Sequence, residues 1–210
     1  WRKFCPDFEI REWNEDNCDI HCCPYVEEAY TSKKYAFVTD YVRLYAMYMC
    51  GGVYMDTDVE VVRSLDKFLS CRAFSGFEST HYVPTGIMAS EKGLPVIKEL
   101  LEYYTGRHFL KADGSQDTTT NCVSITNIML SHGLKLDGKL QTVEDFTFYP
   151  ADFFCPFENE TGILRKTDNT AAIHWFNKSW LPKGMRFRCK ITRACRRLFG
   201  KNCLDWLKRK

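Results

Sequence analysis

Asp56 and Asp58 lie two residues apart at the end of a short apolar segment in this chain of 210 residues. Side chains two apart on a strand point the same way, so both carboxylates can face one ligand. Converging carboxylates repel each other, and a hard cation such as Mg²⁺ or Mn²⁺ relieves that repulsion while holding phosphate oxygens. The pair therefore predicts a divalent metal site. Capping of a turn, or pairing with surface lysines, is the alternative.

Asp40 and Arg43 form a second charged pair, and their i, i+3 spacing puts them on one face of a helix. Residues 37–49 around them are apolar on almost every side, which is typical of a core helix. Charges removed from water need partners. Two interpretations stay open, a buried structural ion pair or a polar pocket wall. A Gly-Gly pair then ends the helix and turns the chain into the strand, which puts the pair near Asp56 in both cases.

The elements that must position these residues alternate between helical and extended patterns. This alternation predicts an α/β fold with a mostly parallel sheet flanked by helices. Predicted strands cover residues 53–55, 73–77, 143–149 and 171–175, and predicted helices cover residues 94–104 and 121–132. A composition of 45% hydrophobic and 15% aromatic residues supports one sizeable core. No uncharged apolar run reaches about 18 residues, so a transmembrane helix is not expected.

Cysteines are numerous, and their number, 11, is odd. A disulfide scaffold suits shorter secreted chains with weak cores. We therefore predict reduced thiols in a cytoplasmic protein, several of them acting as small buried apolar residues. The cluster of Cys18, His21, Cys22 and Cys23 lacks a second half at the spacing of structural zinc sites, so zinc is the minor alternative there.

The C-terminal segment is strongly basic. Residues 183–210 hold 11 Lys and Arg residues and a single acid, Asp205. Over residues 185–207 the apolar residues recur on one side of a helix. We predict a main domain of residues 1–182 and a basic amphipathic tail of residues 183–210. The tail is expected to lie on an anionic membrane, which implies a cytoplasmic protein peripheral to the inner face. A solvated surface helix is the alternative, and nucleic acid is disfavoured because no reader motif accompanies the tail.

The combined pattern Asp-x-x-Arg and Gly-Gly-x-Tyr-x-Asp-x-Asp, at residues 40–43 and 51–58, resembles the sugar-binding region of DXD glycosyltransferases with the GT-A fold. It is similar to the family of yeast initiating mannosyltransferases and bacterial capsular polysaccharide glycosyltransferases, with clostridial glucosylating toxins as distant relatives. The resemblance extends through residues 149–156 to residues 173–180. The resemblance implies that residues 1–182 form a GT-A-like catalytic domain. Such proteins usually begin with a strand of the type Ile-Pro-Lys-Ile-Ile-His, so that strand and base recognition are expected to be missing from this sequence.

The resemblance implies a role for each residue of the motif. Asp58 would bind the metal, and Asp56 would contact the metal or the ribose and sugar of the donor. Asp40 and Arg43 would hydrogen-bond the donor sugar, and Tyr54 would line the same pocket. Asp40, Arg43, Asp56 and Asp58 would thus carry catalysis.

Later residues complete the implied site. His174 matches the position of a late metal ligand, although a histidine between two apolar neighbours is by itself more typical of a packed core. Ser179 and Trp180 match a loop that closes over the donor diphosphate. Glu78 and Asn121 are candidates for contact with donor or acceptor, and they are equally plausible as loop or cap residues.

The function implied by the resemblance is a metal-dependent glycosyltransferase that uses Mn²⁺ or Mg²⁺. It would move a sugar from a nucleotide-sugar donor to a glycan or lipid-linked saccharide acceptor in surface polysaccharide (capsule) synthesis. Anomeric configuration would be retained by front-face attack, because no carboxylate stands out as a covalent nucleophile. Two other functions stay open. One is a haloacid dehalogenase-type phosphatase that uses Asp56 and Asp58, and the other is a catalytically inactive sugar-binding module.

Overall fold

A computed structural model describes residues 1–83, 86–177, 181 and 183–204 of the chain. Its helices are α1 (Pro24–Thr31), α2 (Tyr35–Cys50), α3 (Pro95–Glu102), α4 (Asn121–Ser131), α5 (Ala151–Phe154) and α6 (Lys183–Phe199), with a 3-10 turn at Asp66–Phe68. Its strands are β1 (Gly52–Met55), β2 (Val59–Val61), β3 (Ala73–Gly76), β4 (Ile87–Ser90), β5 (Gln141–Val143), β6 (Phe146–Tyr149) and β7 (Ala172–His174). The α/β composition that the sequence predicts is confirmed.

The main sheet has five strands in the order β1-β4-β3-β6-β5, and β2 pairs with β7 in a separate ribbon. The prediction of a mostly parallel sheet is wrong, since β3 and β6 form the one parallel pair among these strands. Parallel neighbours need a crossover of a dozen or more residues, usually helical. The β3 to β6 connection contains α3 and α4, whereas β3 and β4 are joined without a helix. The mixed α/β sheet with flanking helices is consistent with a GT-A-like fold.

The segment predicted as one strand over residues 143–149 is a hairpin. Glu144 and Asp145 both have positive φ angles, 48° and 64°, and they separate β5 from β6. Two such residues form the type of tight turn whose twist matches that of paired antiparallel strands. The period-two pattern is in fact broken at Glu144 and Asp145, two adjacent acids, and the single-strand prediction overlooked that break.

Apolar residues cover the sheet on both faces. In β4, Met88 packs with Leu44 of α2 in one buried cluster, and its neighbours Ile87 and Ala89 pack with Phe154 in another. Successive side chains of a strand point to opposite faces, so the two clusters lie on opposite sides of the sheet. Burial on both faces fixes the position of β1, whose end carries the aspartates.

The junction between α2 and β1 follows the sequence prediction. Gly51 has a φ of 71°, and its N–H donates to the carbonyl of Met47 at 2.8 Å. A Cβ on Gly51 would lie 2.8 Å from the backbone nitrogen of Lys92. The glycine is therefore required both by backbone conformation and by close approach of the next chain segment.

The remaining predictions about the whole chain have mixed outcomes. All 11 cysteines are free thiols in the structure. Within the described residues, no helix is long and apolar enough to cross a membrane. Helix α6 begins at Lys183, where the basic tail was predicted to begin. The division into domains 1–182 and 183–210 stays a prediction.

Candidate functional site

Asp56, Asp58 and His174 converge on one point. One ligand atom from each lies within 4.8 Å of the other two. The imidazole Nε2 is 3.4 Å from Oδ1 of Asp58 and 3.8 Å from Oδ2 of Asp56. Two carboxylates and one imidazole form a donor set that suits a divalent cation such as Mn²⁺. The three residues are therefore able to hold a metal ion together.

The two aspartates lie in a turn between β1 and β2. The N–H of Val59 donates to the carbonyl of Asp56 at 3.0 Å, which closes the turn. Val59, the first residue after the turn, pairs with His174 across the β2–β7 ribbon, so the histidine lies next to the turn. The sequence predicted that the two carboxylates converge because they lie two residues apart on a strand. They do converge, but through this turn and the β2–β7 ribbon.

Packing orients the imidazole of His174. The ring stacks on that of Phe176 with centroids 4.0 Å apart. On another side lies Gly86, where a Cβ would come within 2.6 Å of Nδ1 of the histidine. Within the described residues Nδ1 is buried without a hydrogen-bond partner. Contacts with a ring and a glycine, rather than a hydrogen bond, thus direct Nε2 toward the carboxylates.

Both the side chain and the backbone carbonyl of Asp58 accept hydrogen bonds from the segment that follows β7. Its Oδ2 accepts a hydrogen bond from the N–H of Asn177 at 2.8 Å, and its carbonyl accepts one from the N–H of Trp175 at 3.1 Å. Partial burial would raise the pKa of Asp58, but hydrogen bonds from His174 and Asn177 outweigh it and lower that pKa. Asp58 is therefore ionised at neutral pH, as a metal ligand must be.

Arg43 connects helix α2 to the candidate metal-ligand group of Asp56, Asp58 and His174. Its Nη2 lies 3.1 Å from Oδ1 of Asp40 and 3.4 Å from Oδ1 of Asp56. The guanidinium lies 4.6 Å from the centre of the Tyr54 ring, and the Tyr54 hydroxyl donates to Oδ1 of Asp56 at 2.6 Å. Burial lowers the pKa of Arg43, but the charges of Tyr54, Asp56 and Asp40 outweigh that effect and raise the pKa above its ordinary value, so Arg43 stays charged. One oxygen of Asp56 faces this network and the other faces His174.

Asp40 is buried at 8% exposure and is bound to the start of α4. Its Oδ2 accepts the N–H of Asn121 at 3.2 Å, and the Asn121 amide Nδ2 donates to the carbonyl of Asp40 at 2.8 Å. Burial raises the pKa of Asp40 to about 6, against the opposing effects of Arg43 and the Asn121 N–H. Asp40 and Arg43 thus form a buried ion pair that also neighbours the candidate metal-ligand group, so the two interpretations of the sequence are not exclusive.

Other predicted residues have more distant or undescribed places. Glu78 accepts a contact from the Cys122 thiol at 3.5 Å, next to Asn121 at the start of α4. Ser179 and Trp180 lie outside the described residues. The Cys18, His21, Cys22 and Cys23 set does not form a group of metal-ligand spacing within the described part of the chain.

Residues 1–75 match a protein-family model, the glycosyltransferase sugar-binding region containing the DXD motif. The chain is similar to DXD glycosyltransferases over this region. The matched residues include Asp40, Arg43, Tyr54, Asp56 and Asp58. No match to a curated protein or to a solved structure was found. The match supports a sugar-binding region of a glycosyltransferase type, while the narrower resemblance to mannosyltransferases, capsular enzymes and toxins stays a prediction.

Sequence reasoning missed several residues that hold the site. Gly86, Phe176 and Asn177 contact His174 or Asp58 directly. The signal for Asn177 was its nearness in sequence to His174, because a residue three positions after a strand-end ligand can return to the same site. Gly86 carried no signal, since its role depends on which strand pairs beside it.

Proposed function

We propose that the protein is a metal-dependent glycosyltransferase that moves a sugar from a nucleotide-sugar donor to a glycan or lipid-linked acceptor. The observation that carries this proposal is the convergence of Asp56, Asp58 and His174 beside the buried Asp40–Arg43 pair. A sugar diphosphate needs a cation for its phosphates and both hydrogen-bond donors and acceptors for its sugar hydroxyls. A metal-ligand group beside a charged pair of residues can supply both.

Each residue of the site has a role in this proposal. Asp56, Asp58 and His174 would hold Mn²⁺ or Mg²⁺, which when bound supplies positive charge to the departing diphosphate. Arg43 donates to the sugar hydroxyls and keeps Asp56 in place, while Tyr54 lines the same wall. The burial of Arg43 at 5% exposure fixes its geometry before the donor arrives.

The pocket wall also bears on the stereochemistry. Asp40 is bound by Arg43 and by the N–H of Asn121, and Asp56 by Arg43 and Tyr54, so neither carboxylate is arranged as a free nucleophile. We propose retention on the strength of the resemblance, and front-face attack because no carboxylate is free to form a covalent intermediate, with Ser179 and Trp180 covering the diphosphate. A role in surface polysaccharide synthesis is part of the same proposal and rests on the resemblance.

Release of nucleoside diphosphate from a panel of UDP- and GDP-sugars, with and without Mn²⁺, tests the function. Asp58→Ala is expected to lower turnover at least ~100-fold, because a lost metal ligand removes several kcal/mol of transition-state stabilisation. Asp7→Ala, a change of the same kind at an exposed acid, is the matched control and is expected to have no effect.

Three results would change the proposal. Equal turnover by the Asp58→Ala and Asp7→Ala variants would remove the metal assignment. Donor binding that needs Mn²⁺ but yields no turnover with any acceptor would indicate a sugar-binding module. Phosphate release from a generic phosphoester, absent in Asp58→Ala, would indicate a phosphatase.

A further inference from the structure

Helix α6 packs on the rest of the protein through arginines. Arg193 donates from Nε to the carbonyl of Asn159 at 2.9 Å and from Nη2 to the carbonyl of Phe176 at 3.2 Å. One turn further on, Arg196 lies 3.7 Å from Glu160 with its side chain only 13% exposed. The polar face of this helix is therefore the face that contacts the protein.

The apolar face of α6 points into solvent. Phe187, Ile191 and Leu198 are 66%, 49% and 75% exposed. Their spacing of four and seven residues keeps them on one side of the helix. A surface helix of a globular protein normally turns such a stripe toward the core. This orientation is reversed in α6, and the described residues leave the stripe uncovered.

A row of cations borders the apolar stripe. Lys183, Arg186, Lys190 and Arg193 recur at three, four and three residues and line one cavity of ≈ 550 Å³ together with Asn177. Within the described residues, none of these four cations lies within 4 Å of a carboxylate. Like charges this close on a helix repel each other, and an anionic ligand would relieve that repulsion.

The partner must satisfy both features at once. A second copy of the chain would cover the stripe but would set one row of cations against another. A nucleic acid would meet the cations and leave the phenylalanine and leucine in water. An anionic bilayer accepts apolar side chains at its acyl boundary and offers phosphates at the level of the flanking cations.

We propose that α6 seats the protein on an anionic phospholipid membrane. Phe187, Ile191 and Leu198 enter the boundary of the acyl region, and the cavity lined by Lys183 and Lys190 receives a lipid phosphate group. The helix lies in the plane of the interface and does not cross it. This inference does not depend on the activity assigned to Asp56 and Asp58.

Co-sedimentation of the full chain with vesicles tests the inference. Vesicles of phosphatidylcholine alone are compared with vesicles containing roughly one third phosphatidylglycerol. We expect binding to the anionic vesicles, at least ~10-fold weaker binding to the neutral ones, and release from the anionic ones by added salt.

Variants distinguish the loss of the apolar stripe from the effect of adding negative charge anywhere on the surface. The double variant Ile191→Glu, Leu198→Glu is expected to bind anionic vesicles at least ~10-fold more weakly, because two charged groups would have to enter the interface. Both side chains are exposed, so the fold is retained, which circular dichroism verifies. Leu140→Glu, at a leucine 58% exposed outside α6, is the matched control and is expected to bind unchanged.

Two results would contradict the membrane inference. Unchanged vesicle binding by the double variant would overturn the inference. So would a stable dimer in solution that the same variant dissociates, since the stripe would then belong to a second copy. Asp58→Ala is expected to bind vesicles like the unmodified chain, so that failure of membrane binding and failure of the proposed catalysis are distinguishable.

Discussion

Asp40 is the acid of the site whose protonation is linked most directly to folding. Burial raises its pKa to about 6 from an ordinary value of 3.8. Because the folded state holds this proton more tightly than the unfolded state, the stability contributed is full below about pH 4 and is lost as pH rises through about 6. The Asp40→Asn side chain does not titrate, so its free energy of unfolding does not fall as pH rises through about 6.

Urea denaturation without added metal at several pH values measures the difference. The advantage of the unmodified protein over Asp40→Asn is expected to shrink by up to ~3 kcal/mol between pH 4 and pH 7. A difference that is constant with pH would mean that Arg43 and Asn121 keep Asp40 ionised in spite of its burial.

Gly86 is a second residue whose substitution has a defined consequence. A methyl group there would meet the imidazole of His174 at 2.6 Å. We expect Gly86→Ala to displace the ring and to weaken Mn²⁺ binding by ~10-fold or more, on the scale of other changes around metal ligands. Calorimetric titration with Mn²⁺ measures this. Gly184→Ala, where a methyl meets nothing within 4 Å, is the control, and equal affinities of the two variants would contradict the argument.

Residue spacing predicted part of this geometry. The i, i+3 interval was enough to place Asp40 and Arg43 on one helix face, and their contact at 3.1 Å confirms it. The bonds of Asn121 to Asp40 were beyond prediction, because they join residues 81 positions apart. Helix periodicity says which face is polar, but it does not say which later helix will pack against that face.

At the scale of elements, the α2–β1 junction positions the turn that carries Asp56 and Asp58. Gly51 and Gly93 both have positive φ angles, 71° and 73°, but only at Gly51 would a methyl meet another part of the backbone. Gly93→Ala therefore costs about 1–2 kcal/mol for the backbone angle alone. Gly51→Ala is expected to cost at least ~2 kcal/mol more, because the Lys92 segment must move.

Denaturant unfolding of both variants tests this difference. Both variants place a side chain at a positive φ, so the excess loss in Gly51→Ala reports the close approach to Lys92 together with the ψ of −171° at Gly51, a backbone region essentially restricted to glycine. The displaced β1 is expected to carry the aspartates with it, so Mn²⁺ affinity falls in Gly51→Ala and stays unchanged in Gly93→Ala. Equal losses of stability would show that the junction tolerates a side chain.

Strand pairing is where sequence patterns were least informative. The sequence predicted β3 and β7 as strands, over residues 73–77 and 171–175, but a pattern of apolar residues carries no strand direction, and β4 was not predicted as a strand. Parallel pairing was inferred from alternating helices and strands, whereas the short connection from β3 to β4 leads to an antiparallel pair. The pairing of β2 with β7 brings His174 to the aspartates, and its position was predicted only through the resemblance to glycosyltransferases.

At the scale of the whole molecule, helix α6 and the candidate metal-ligand group of Asp56, Asp58 and His174 both contact the loop of Phe176 and Asn177. Arg193 of α6 holds the carbonyl of Phe176, whose ring packs on His174, and the next residue, Asn177, donates to Asp58. Phe176 has a φ of 50°, a left-handed conformation that an aromatic residue adopts only when its surroundings impose it. The arginine therefore helps to hold the loop in the conformation that contacts Asp58 and His174.

Arg193→Ala tests this coupling because the residue touches no metal ligand itself. We expect Mn²⁺ to bind ~3- to 10-fold more weakly, since the Phe176–Asn177 loop loses a charge-assisted hydrogen bond and relaxes away from His174 and Asp58. Arg188→Ala removes an exposed cation of the same helix and is expected to leave Mn²⁺ affinity unchanged. Equal affinities of the two variants would mean that the loop keeps its conformation without α6, and that the helix and the metal cluster act independently.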